Sequence, residues 1–355
     1  MVILGLDKFL SKINRKGEKI GLITNSTGVD SKLNYNFESI KGIKKIFTPE
    51  QGLFGNMLDG EDISDYYMNN FQVISLYGKR KSPEEELEDV DIVIYDMEDA
   101  GVRYFTLVST LRLSIESAKK FNRKFIILDR PNPLGSNDIF GPVLNDEELS
   151  FVGIDRLPIK FAMTPGELGQ FFNRNIGADL EIIKMDNYNR NMLHPQLLSY
   201  YIPLSLHLPT WESVYNYQAF CLLEATNISV GRGTTSPFMQ IGAPGFENMK
   251  TDVKGIKLRK VKFRPLYSQY SGKEIDGFYI HIYDFNSYDP FRLVFDIMKS
   301  YDYLEVNWNK MEKLLGHSDL GKFLDGNIDF DDLIESWTKG INEFKKLRQN
   351  YLIYP

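Results

Sequence analysis

The segment DIVIYDMEDAGVRYF, residues 91–105, places three carboxyl groups and an arginine directly after an apolar run. Its first residues are β-branched or aromatic and predict a buried strand. Asp96, Glu98 and Asp99 then follow within four residues, with Arg103 close behind. Carboxyl groups at such a position can act as general acids and bases or bind sugar hydroxyls. The alternative is that the two aspartates are turn and cap residues of the next helix.

Apolar strand-like runs alternate with helical patterns through the first half of the chain. Residues 103–121 have apolar side chains at helical spacing, and Ser82-Pro83-Glu84-Glu85 is a helix-start pattern with Ser82 as the cap. Continuous apolar strands that alternate with helices predict a parallel, doubly wound, Rossmann-like sheet. The predicted strands are 19–24, 43–48, 72–76, 91–96, 124–129 and 180–185.

The loops after these strands carry the polar side chains that such a sheet would bring together. The carboxyl ends of parallel strands open on one edge, where ligands bind. We therefore expect one crevice at that edge. Its predicted residues are Asn25, Glu50, Asp96, Glu98, Asp99, Arg103, Arg130 and Asn132.

Length and composition restrict the class of protein. The 355 residues allow two domains, and the net charge of −6 argues against a nucleic-acid partner. No apolar stretch reaches the ~18 residues of a membrane span, and the first residues lack a signal-peptide pattern. We expect a cytoplasmic protein without a membrane partner.

A change in the sequence pattern near residue 195 predicts the domain boundary. The proline-containing segment HPQLLSYYIPLSLHLPTW has no clear period and suits a crossover between domains. We predict a Rossmann-like domain over residues 1–198 and a smaller α/β domain over 199–355, with a strand at 276–284 and helices near 290–301 and 329–348.

The sequence predicts neither a metal ion nor a cofactor. The four histidines are scattered without metal-ligand spacing, and the clustered acids define no ligand set. The segment GLITNSTG, residues 21–28, lacks both the G-x-G-x-x-G and the P-loop pattern. We therefore expect no dinucleotide, because a Rossmann-like sheet does not by itself determine function.

The order of several motifs resembles the NamZ/YbbC family, formerly described only as a domain of unknown function. Its characterised members are exo-β-N-acetylmuramidases. The resemblance implies a Rossmann-like N-terminal domain, a smaller C-terminal α/β domain and a cleft between them. The motifs are GLITNSTGVD, FTPEQGLFG, SLYGKRKSPEEEL, YDMEDAGVRYFTLVSTL, ILDRPNPLG, SFVGIDRLPIKFAMTPGELGQFFN, CLLEATNISVGRGTTSPF and GAPGF.

The sequence departs from the family pattern at several positions, including SLHLPT where the family has SPNMPT. The family usually has His at Gln51, Gln at Glu98, and a His-Gly pair at Phe161-Ala162. Two histidines are lost and one carboxyl group is gained within the predicted cleft. These departures affect the identity of the sugar more than the class of reaction.

Glycosidases usually need two carboxyl groups, and the resemblance favours Glu50 as the first. Glu50 lies between Pro49 and Gly52; a solvated loop carboxylate is the alternative. Glu167 is the second choice, but Thr164-Pro165-Gly166-Glu167 is also a capping box, and that role would account for it equally well. Asp96 is the third predicted catalytic residue.

The segment GRGTT, residues 231–235, resembles an anion nest with its own arginine. Under the family resemblance, Arg232 and Thr234 would bind the substrate, and Arg232 would meet the lactyl carboxylate of a muramyl sugar. Arg103 and Arg130 are competing candidates for that carboxylate, and Asn25, Asp99 and Asn132 are predicted to bind the sugar. A turn with a surface arginine is the alternative for GRGTT.

The resemblance predicts an exo-acting glycoside hydrolase that removes a terminal β-linked N-acetylmuramic acid or related N-acetylated amino sugar from a small-molecule or oligosaccharide substrate. One alternative is a glycosidase of the same fold that acts on another amino or acidic sugar. A second alternative is a non-catalytic carbohydrate- or anion-binding protein. Retention, inversion and substrate assistance by the acetamido group all remain open, as does the oligomeric state.

Overall fold

The structure is a computed structural model that describes residues 2–12, 17–58, 60–61, 63–317 and 319–355, with only the backbone of Lys12. Contacts within the chain divide it into two compact units. The predicted continuous domains 1–198 and 199–355 stay a prediction, and the compact units interleave along the chain. Unit 1 comprises Met1–Ile139, Phe161–Leu206 and Lys345–Pro355, and unit 2 comprises Phe140–Lys160 and His207–Phe344.

Unit 1 is built on a sheet of seven strands within the described residues, in the order β3-β4-β2-β1-β5-β6-β7. All neighbouring pairs are parallel except β3 with β4. The smaller sheet of unit 2 is described below, and the predicted α/β fold class with a Rossmann-like parallel sheet is confirmed. The strands are β1 Ile20–Thr24, β2 Ile43–Thr48, β3 Tyr66–Met68, β4 Phe71–Ser75, β5 Ile92–Asp96, β6 Lys124–Leu128 and β7 Leu180–Ile183.

Helices cover both faces of this sheet, so its central strands are buried on both sides. Every residue of β1 and β5 is buried. Ile126 packs with Phe9 of the first helix, whereas its neighbour Ile127 points to the opposite face, towards Gly169. The helices of unit 1 are α1 Gly5–Lys12, α2 Asn36–Ser39, α3 Leu107–Lys120, α4 Pro165–Ile176 and α5 His194–Leu197.

Gly169 allows α4 to lie directly on the sheet. A Cβ atom at this position would stand 2.2 Å from the Cδ1 atom of Ile127, a distance that no side chain tolerates. The start of α4 is consequently held against the ends of β6 and β7, near the edge at which the predicted site residues lie.

Two predicted helix starts differ from the structure. The helix predicted over 103–121 begins at Leu107, because residues before it form turns that follow Gly101, whose φ is +76°. The predicted start at Ser82 leads only into a short 3-10 helix, Glu84–Leu87, with Pro83 rather than Ser82 at the N-cap and no side-chain cap bond. Sequence pattern alone does not show where such loop segments turn.

The capping box of α4 forms as predicted. The Thr164 hydroxyl accepts a hydrogen bond from the Glu167 amide at 3.2 Å, and the Thr164 amide donates to Glu167 Oε2 at 3.1 Å. The helix ends at Gly177 in the left-handed conformation, with φ +67°.

Unit 2 contains a three-stranded antiparallel sheet in the order β8-β10-β9, within the described residues. Its strands are β8 Gln240–Ala243, β9 Ile256–Phe263 and β10 Ile275–Ile282. The predicted strand at 276–284 corresponds to β10, and the predicted helices correspond to α7 and α10. The helices after residue 206 are α6 Trp211–Phe220, α7 Pro290–Ser300, α8 Trp308–Leu315, α9 Leu320–Leu324 and α10 Phe330–Arg348, of which the end of α10 from Lys345 belongs to unit 1.

Candidate active site

The carboxyl ends of the three central strands lie level at one edge of the unit 1 sheet. Thr24 pairs with Asp96, and Ile23 pairs with both Phe47 and Tyr95. Strands two apart in a sheet are separated by about 10 Å. The loop after β2, which carries Glu50, and the loop after β5, which carries Asp96, therefore leave the sheet at the same edge.

An ion pair between Asp96 and Arg130 lies at the centre of this edge. The Arg130 guanidinium donates from Nε to Asp96 Oδ1 at 2.6 Å and from Nη2 to Asp96 Oδ2 at 3.0 Å. Neither side chain has any solvent exposure. Asn36 also donates to Asp96 Oδ2 at 2.8 Å, and Arg130 Nη2 donates to the Val29 carbonyl at 2.9 Å. All of these donors hold the Asp96 carboxylate in one orientation.

Glu98 lies beside this pair, with its Oε1 atom 3.7 Å from Arg130 Nη1. Burial raises the pKa of Glu98 to about 7; the positive charge of Arg130 opposes this rise and the negative charge of Asp96 adds to it. One guanidinium thus faces two carboxyl groups, and Glu98 is the one that keeps its proton to near-neutral pH. Residue type and spacing do not distinguish Glu98 from its acidic neighbours, because its burial depends on how the loops pack.

Asp99 is a second buried acid in the same loop. Burial raises its pKa to about 7, although its Oδ1 atom accepts a 2.7 Å hydrogen bond from the Gly101 amide. Gly101 also lies against Asn132, since a Cβ at Gly101 would meet Asn132 Oδ1 at 2.4 Å. The Asn132 amide group donates to the Met163 carbonyl and accepts from the Leu134 amide.

Asn25 and Arg103 complete the set of predicted residues at this edge. Asn25 Oδ1 accepts hydrogen bonds from the Thr27 amide and hydroxyl at 3.0 and 2.6 Å. The Thr27 hydroxyl in turn accepts a hydrogen bond from the Glu98 amide at 2.9 Å. Asn25 therefore holds the backbone of the loop after β5, which carries Glu98 and Asp99. Arg103 is fully buried.

Glu50 keeps partial exposure to solvent. Its Oε2 atom accepts from the Thr106 hydroxyl at 2.7 Å, and its Oε1 atom accepts from the Gly60 amide at 3.2 Å. Thr106 is the N-cap of α3, so this bond ties the loop after β2 to the segment after β5. Gln51 has φ +72°, a backbone conformation that is uncommon for residues other than glycine. Such conformations are enriched at functional sites. The contacts place the Glu50 carboxylate in a fixed position at the open edge.

Glu167 has a different environment. Its side chain has no solvent exposure, and its Oε1 atom accepts from the Arg190 guanidinium at 2.5 Å and from the Ile353 amide at 2.9 Å. Together with the Thr164 amide, these donors occupy both carboxylate oxygens. The contacts of Glu167 favour the capping alternative over direct contact with a substrate, and its catalytic role stays a prediction.

Asp129, which sequence analysis did not select, is an equally buried acid next to this network. Its oxygens accept hydrogen bonds from the Tyr354 and Thr164 hydroxyls at 2.6 and 2.8 Å and from the Gly166 amide at 2.7 Å. Burial raises its pKa to about 7 against the opposing effect of these donors. Its place at the end of β6, matching Asp96 at the end of β5, was the available sequence signal.

Arg232 and Thr234 belong to unit 2. Arg232 forms an ion pair with Glu224, and its guanidinium lies 5.1 Å from the centre of the Phe238 ring. The Thr234 hydroxyl donates to the Gly231 carbonyl at 2.6 Å and accepts from Gln240 Nε2 at 2.8 Å. Their predicted contact with a substrate stays a prediction.

The structure therefore joins one part of the predicted set and adds residues that the sequence did not indicate. Asp96, Glu98 and Arg130 contact one another directly. The residues that hold the site in place and carry no sequence signal of their own are Asn36, Thr106 and Arg190.

In the described ranges, His, Cys, Asp and Glu side chains form no group of three or more that could hold a metal ion, and the absence of a metal stays a prediction. None of the helices in the described part of the chain has the length and apolar character needed to cross a membrane.

Fold and site together define an α/β protein with a cluster of carboxyl groups at the ligand-binding edge of a parallel sheet. Family models for the exo-β-N-acetylmuramidase NamZ match the chain, the N-terminal model over residues 20–212 and the C-terminal model over residues 215–354. The chain therefore belongs to the NamZ family, and the predicted family resemblance is confirmed.

Individual relatives agree with this assignment. The chain is 34% identical to the peptidoglycan β-N-acetylmuramidase NamZ of Bacillus subtilis (strain 168), over 99% of this chain and 91% of the relative. Two solved DUF1343 family proteins from Bacteroides fragilis NCTC 9343 cover all of this chain and 99% of their own, with TM-scores of 0.86 and 0.81 at 28% and 25% identity.

The contacts of Glu167 predict a loss of stability rather than of chemistry in Glu167→Gln. The substitution breaks a buried ion pair and should lower the free energy of unfolding by about 3–5 kcal/mol. The matched control is Glu148→Gln, a capping-box glutamate of the partly exposed turn Asp146–Glu148, which should cost about 1 kcal/mol or less. Urea unfolding measures both. A hundredfold fall in turnover with unchanged stability would contradict the capping interpretation.

The raised pKa of Glu98 predicts a pH-dependent stability. The pKa is about 7 in the folded protein against an ordinary value of 4.5, so between these values the folded state retains a proton that the unfolded state has lost. This contribution to stability is complete at low pH and is lost as pH rises to about 7. Glu98→Gln removes the titration, so at pH 8 it should unfold with a free energy about 3 kcal/mol higher than wild type.

At pH 4, Glu98→Gln and wild type should have nearly equal unfolding free energies. Chemical denaturation at both pH values measures the difference, with Glu85→Gln, an exposed glutamate, as the control that should show none. The same gap between Glu98→Gln and wild type at both pH values would contradict the assignment of this proton to Glu98.

Proposed function

We propose that this protein is an exo-acting glycoside hydrolase that removes a terminal β-linked N-acetylmuramic acid from peptidoglycan fragments. Membership of the NamZ family and full-length similarity to a peptidoglycan β-N-acetylmuramidase support this assignment. The substrate is a glycan chain or a small glycoside that carries an N-acetylated amino sugar at its end.

The position of Glu50 is the structural observation that most directly supports the proposal. Its carboxylate is partly exposed, lies at the carboxyl edge of the parallel sheet and is oriented by Thr106 and the Gly60 amide. An acid or base must be held within reach of the glycosidic oxygen in a reproducible orientation. We assign Glu50 to acid–base catalysis.

The buried groups around Glu50 have supporting roles. Asp96 is fully engaged with Arg130 and Asn36, so it orients the guanidinium rather than transferring a proton. Asp99 holds a proton to about pH 7 because it is buried, which provides an acidic group at neutral pH on the same edge. Asn25 and Asn132 shape the loops that contact the sugar.

Glu50→Gln tests this assignment. The amide keeps the size of the side chain but cannot transfer a proton, so kcat on a muramyl-β-1,4-glucosaminide disaccharide, whose sugar leaving group must be protonated, should fall about 100-fold or more. Glu61→Gln, an exposed glutamate of the same loop, is the matched control and should keep wild-type turnover. Thermal unfolding should be similar in all three proteins. Wild-type kcat in a folded Glu50→Gln protein would refute the catalytic role of Glu50.

We assign Arg232 to the lactyl carboxylate of the substrate, as a second element of this proposal. A guanidinium binds a carboxylate through two parallel hydrogen bonds, which an ammonium group cannot reproduce. Arg232→Lys should therefore reduce kcat/KM for 4-nitrophenyl N-acetyl-β-muramide about 10-fold or more, but leave the corresponding N-acetylglucosaminide nearly unaffected. Steady-state kinetics on both glycosides measures the ratio, and equal losses on the two sugars would show that Arg232 does not recognise the lactyl group.

The cytoplasmic location is also a proposal. Fractionation of cells, followed by detection of the protein in each fraction, would test it.

A further inference from the structure

Two buried polar atoms, one in the loop after β5 and one in the segment after β6, lie close together without hydrogen-bond partners among the described residues. They are Glu98 Oε1 and Arg130 Nη1, which lie 3.7 Å apart. The other two nitrogens of the Arg130 guanidinium already donate hydrogen bonds. Nε and Nη2 donate to Asp96, and Nη2 also donates to the Val29 carbonyl. A buried donor and acceptor left in this arrangement are costly unless a further group joins them.

The arrangement is rigid, and a small part of the Glu98 side chain is exposed. Arg130 is fixed by its two bonds to Asp96, and the Glu98 backbone amide is fixed by the Thr27 hydroxyl at 2.9 Å. The Glu98 side chain keeps 7% of its surface exposed, whereas Arg130 has none. Because Glu98 Oε1 and Arg130 Nη1 are themselves buried, a ligand group would enter along the exposed part of the Glu98 side chain.

The charges around the gap decide what kind of group fits. Asp96 already balances the single positive charge of Arg130, and Glu98 keeps its proton to about pH 7. Tyr200 also interacts electrostatically with Arg130. Its phenol is neutral, because burial raises the pKa of Tyr200 to about 12. A ligand carboxylate would add a buried negative charge beside a guanidinium that Asp96 already matches, at high cost. An uncharged group adds none.

We propose that Glu98 and Arg130 together bind one hydroxyl group of the glycan substrate, in addition to the catalytic contacts of Glu50. Arg130 Nη1 donates to the hydroxyl oxygen, and Glu98 Oε1 accepts the hydroxyl proton. A hydroxyl offers both functions from one atom, which suits a donor and an acceptor only 3.7 Å apart. A trans acetamido group directs its N–H and C=O to opposite sides and cannot serve both. This inference rests on the proposed function, because it takes the substrate to be a sugar.

Deoxy substrates provide the test. A terminal N-acetylmuramyl residue carries free hydroxyls at C4 and C6, so kcat/KM is measured for the 4-nitrophenyl muramide and its 4-deoxy and 6-deoxy analogues. In wild type, one analogue should lose about 10- to 100-fold, the cost of a hydrogen bond to a charged group. In Glu98→Met, which lacks the acceptor but keeps Arg130, the penalty for the same analogue should be several-fold smaller than in wild type. Glu98→Gln keeps an acceptor and should retain most of the discrimination.

Equal deoxy penalties in wild type and Glu98→Met for both analogues would overturn the inference. The same result is expected if only water fills the gap. A change of more than about 10-fold in the muramide to glucosaminide preference of Glu98→Met would also overturn it, since the gap would then recognise the lactyl carboxylate. Failure of wild type to hydrolyse the parent muramide is a separate result that refutes the proposed function.

A second measurement avoids dependence on the folding of Glu98→Met. The ¹³C carboxyl resonance of Glu98, assigned by its absence from Glu98→Gln, should shift when wild type binds free N-acetylmuramic acid. The shift should be absent with the deoxy sugar that loses activity. A resonance that responds equally to the parent and both deoxy sugars would contradict the hydroxyl contact even if the sugar binds.

Discussion

The buried ion pair between Asp96 and Arg130 is the interaction on which the acidic edge of unit 1 depends. It joins the end of β5 to the segment after β6, and its further bonds reach Asn36 of α2 and the Val29 carbonyl. Several loops that are far apart in sequence are therefore held by one guanidinium. Loss of either partner would leave an uncompensated charge with no access to water, which typically costs 3–5 kcal/mol.

This pair also controls the chemistry of its neighbours through a simple charge balance. Arg130 carries one positive charge, which Asp96 neutralises at close range. Glu98 is left 3.7 Å away from a guanidinium that is already matched, so burial dominates and its proton is retained to near-neutral pH. The same edge of the sheet thus carries the partly exposed Glu50 and two buried acids, Glu98 and Asp99, with raised pKa values, a feature common at sites that transfer protons.

A second polar network at the start of α4 shows that buried carboxyl groups in this protein also have structural uses. Glu167 and Asp129 each receive several hydrogen bonds, and segments from the last residues of the chain, including Ile353 and Tyr354, supply some of the donors. Glu167 and Glu50 follow similarly rigid proline-containing segments in the sequence. They differ in the structure because one carboxylate is enclosed on all sides and the other reaches solvent.

The sequence by itself determined the elements with local causes. The apolar runs of β1 and β5, the capping box of α4 and its glycine stop all follow from residue type and spacing, and all form as predicted. The presence of carboxyl groups at strand ends, and hence at one edge, follows from the parallel topology. The start of α3 did not follow, because it depends on the turn after Gly101 and on the contact of that glycine with Asn132.

Only the tertiary structure determines the protonation and the role of each carboxyl group. The protonation of Glu98 and Asp99 depends on how much water the packed loops exclude, and the separate role of Glu167 depends on Arg190 and Ile353, which come from distant parts of the chain. Desolvation and pairing are properties of the surroundings of a side chain rather than of its type. The sequence therefore identifies the carboxyl groups of this protein, whereas packing determines which of them keep a proton near neutral pH.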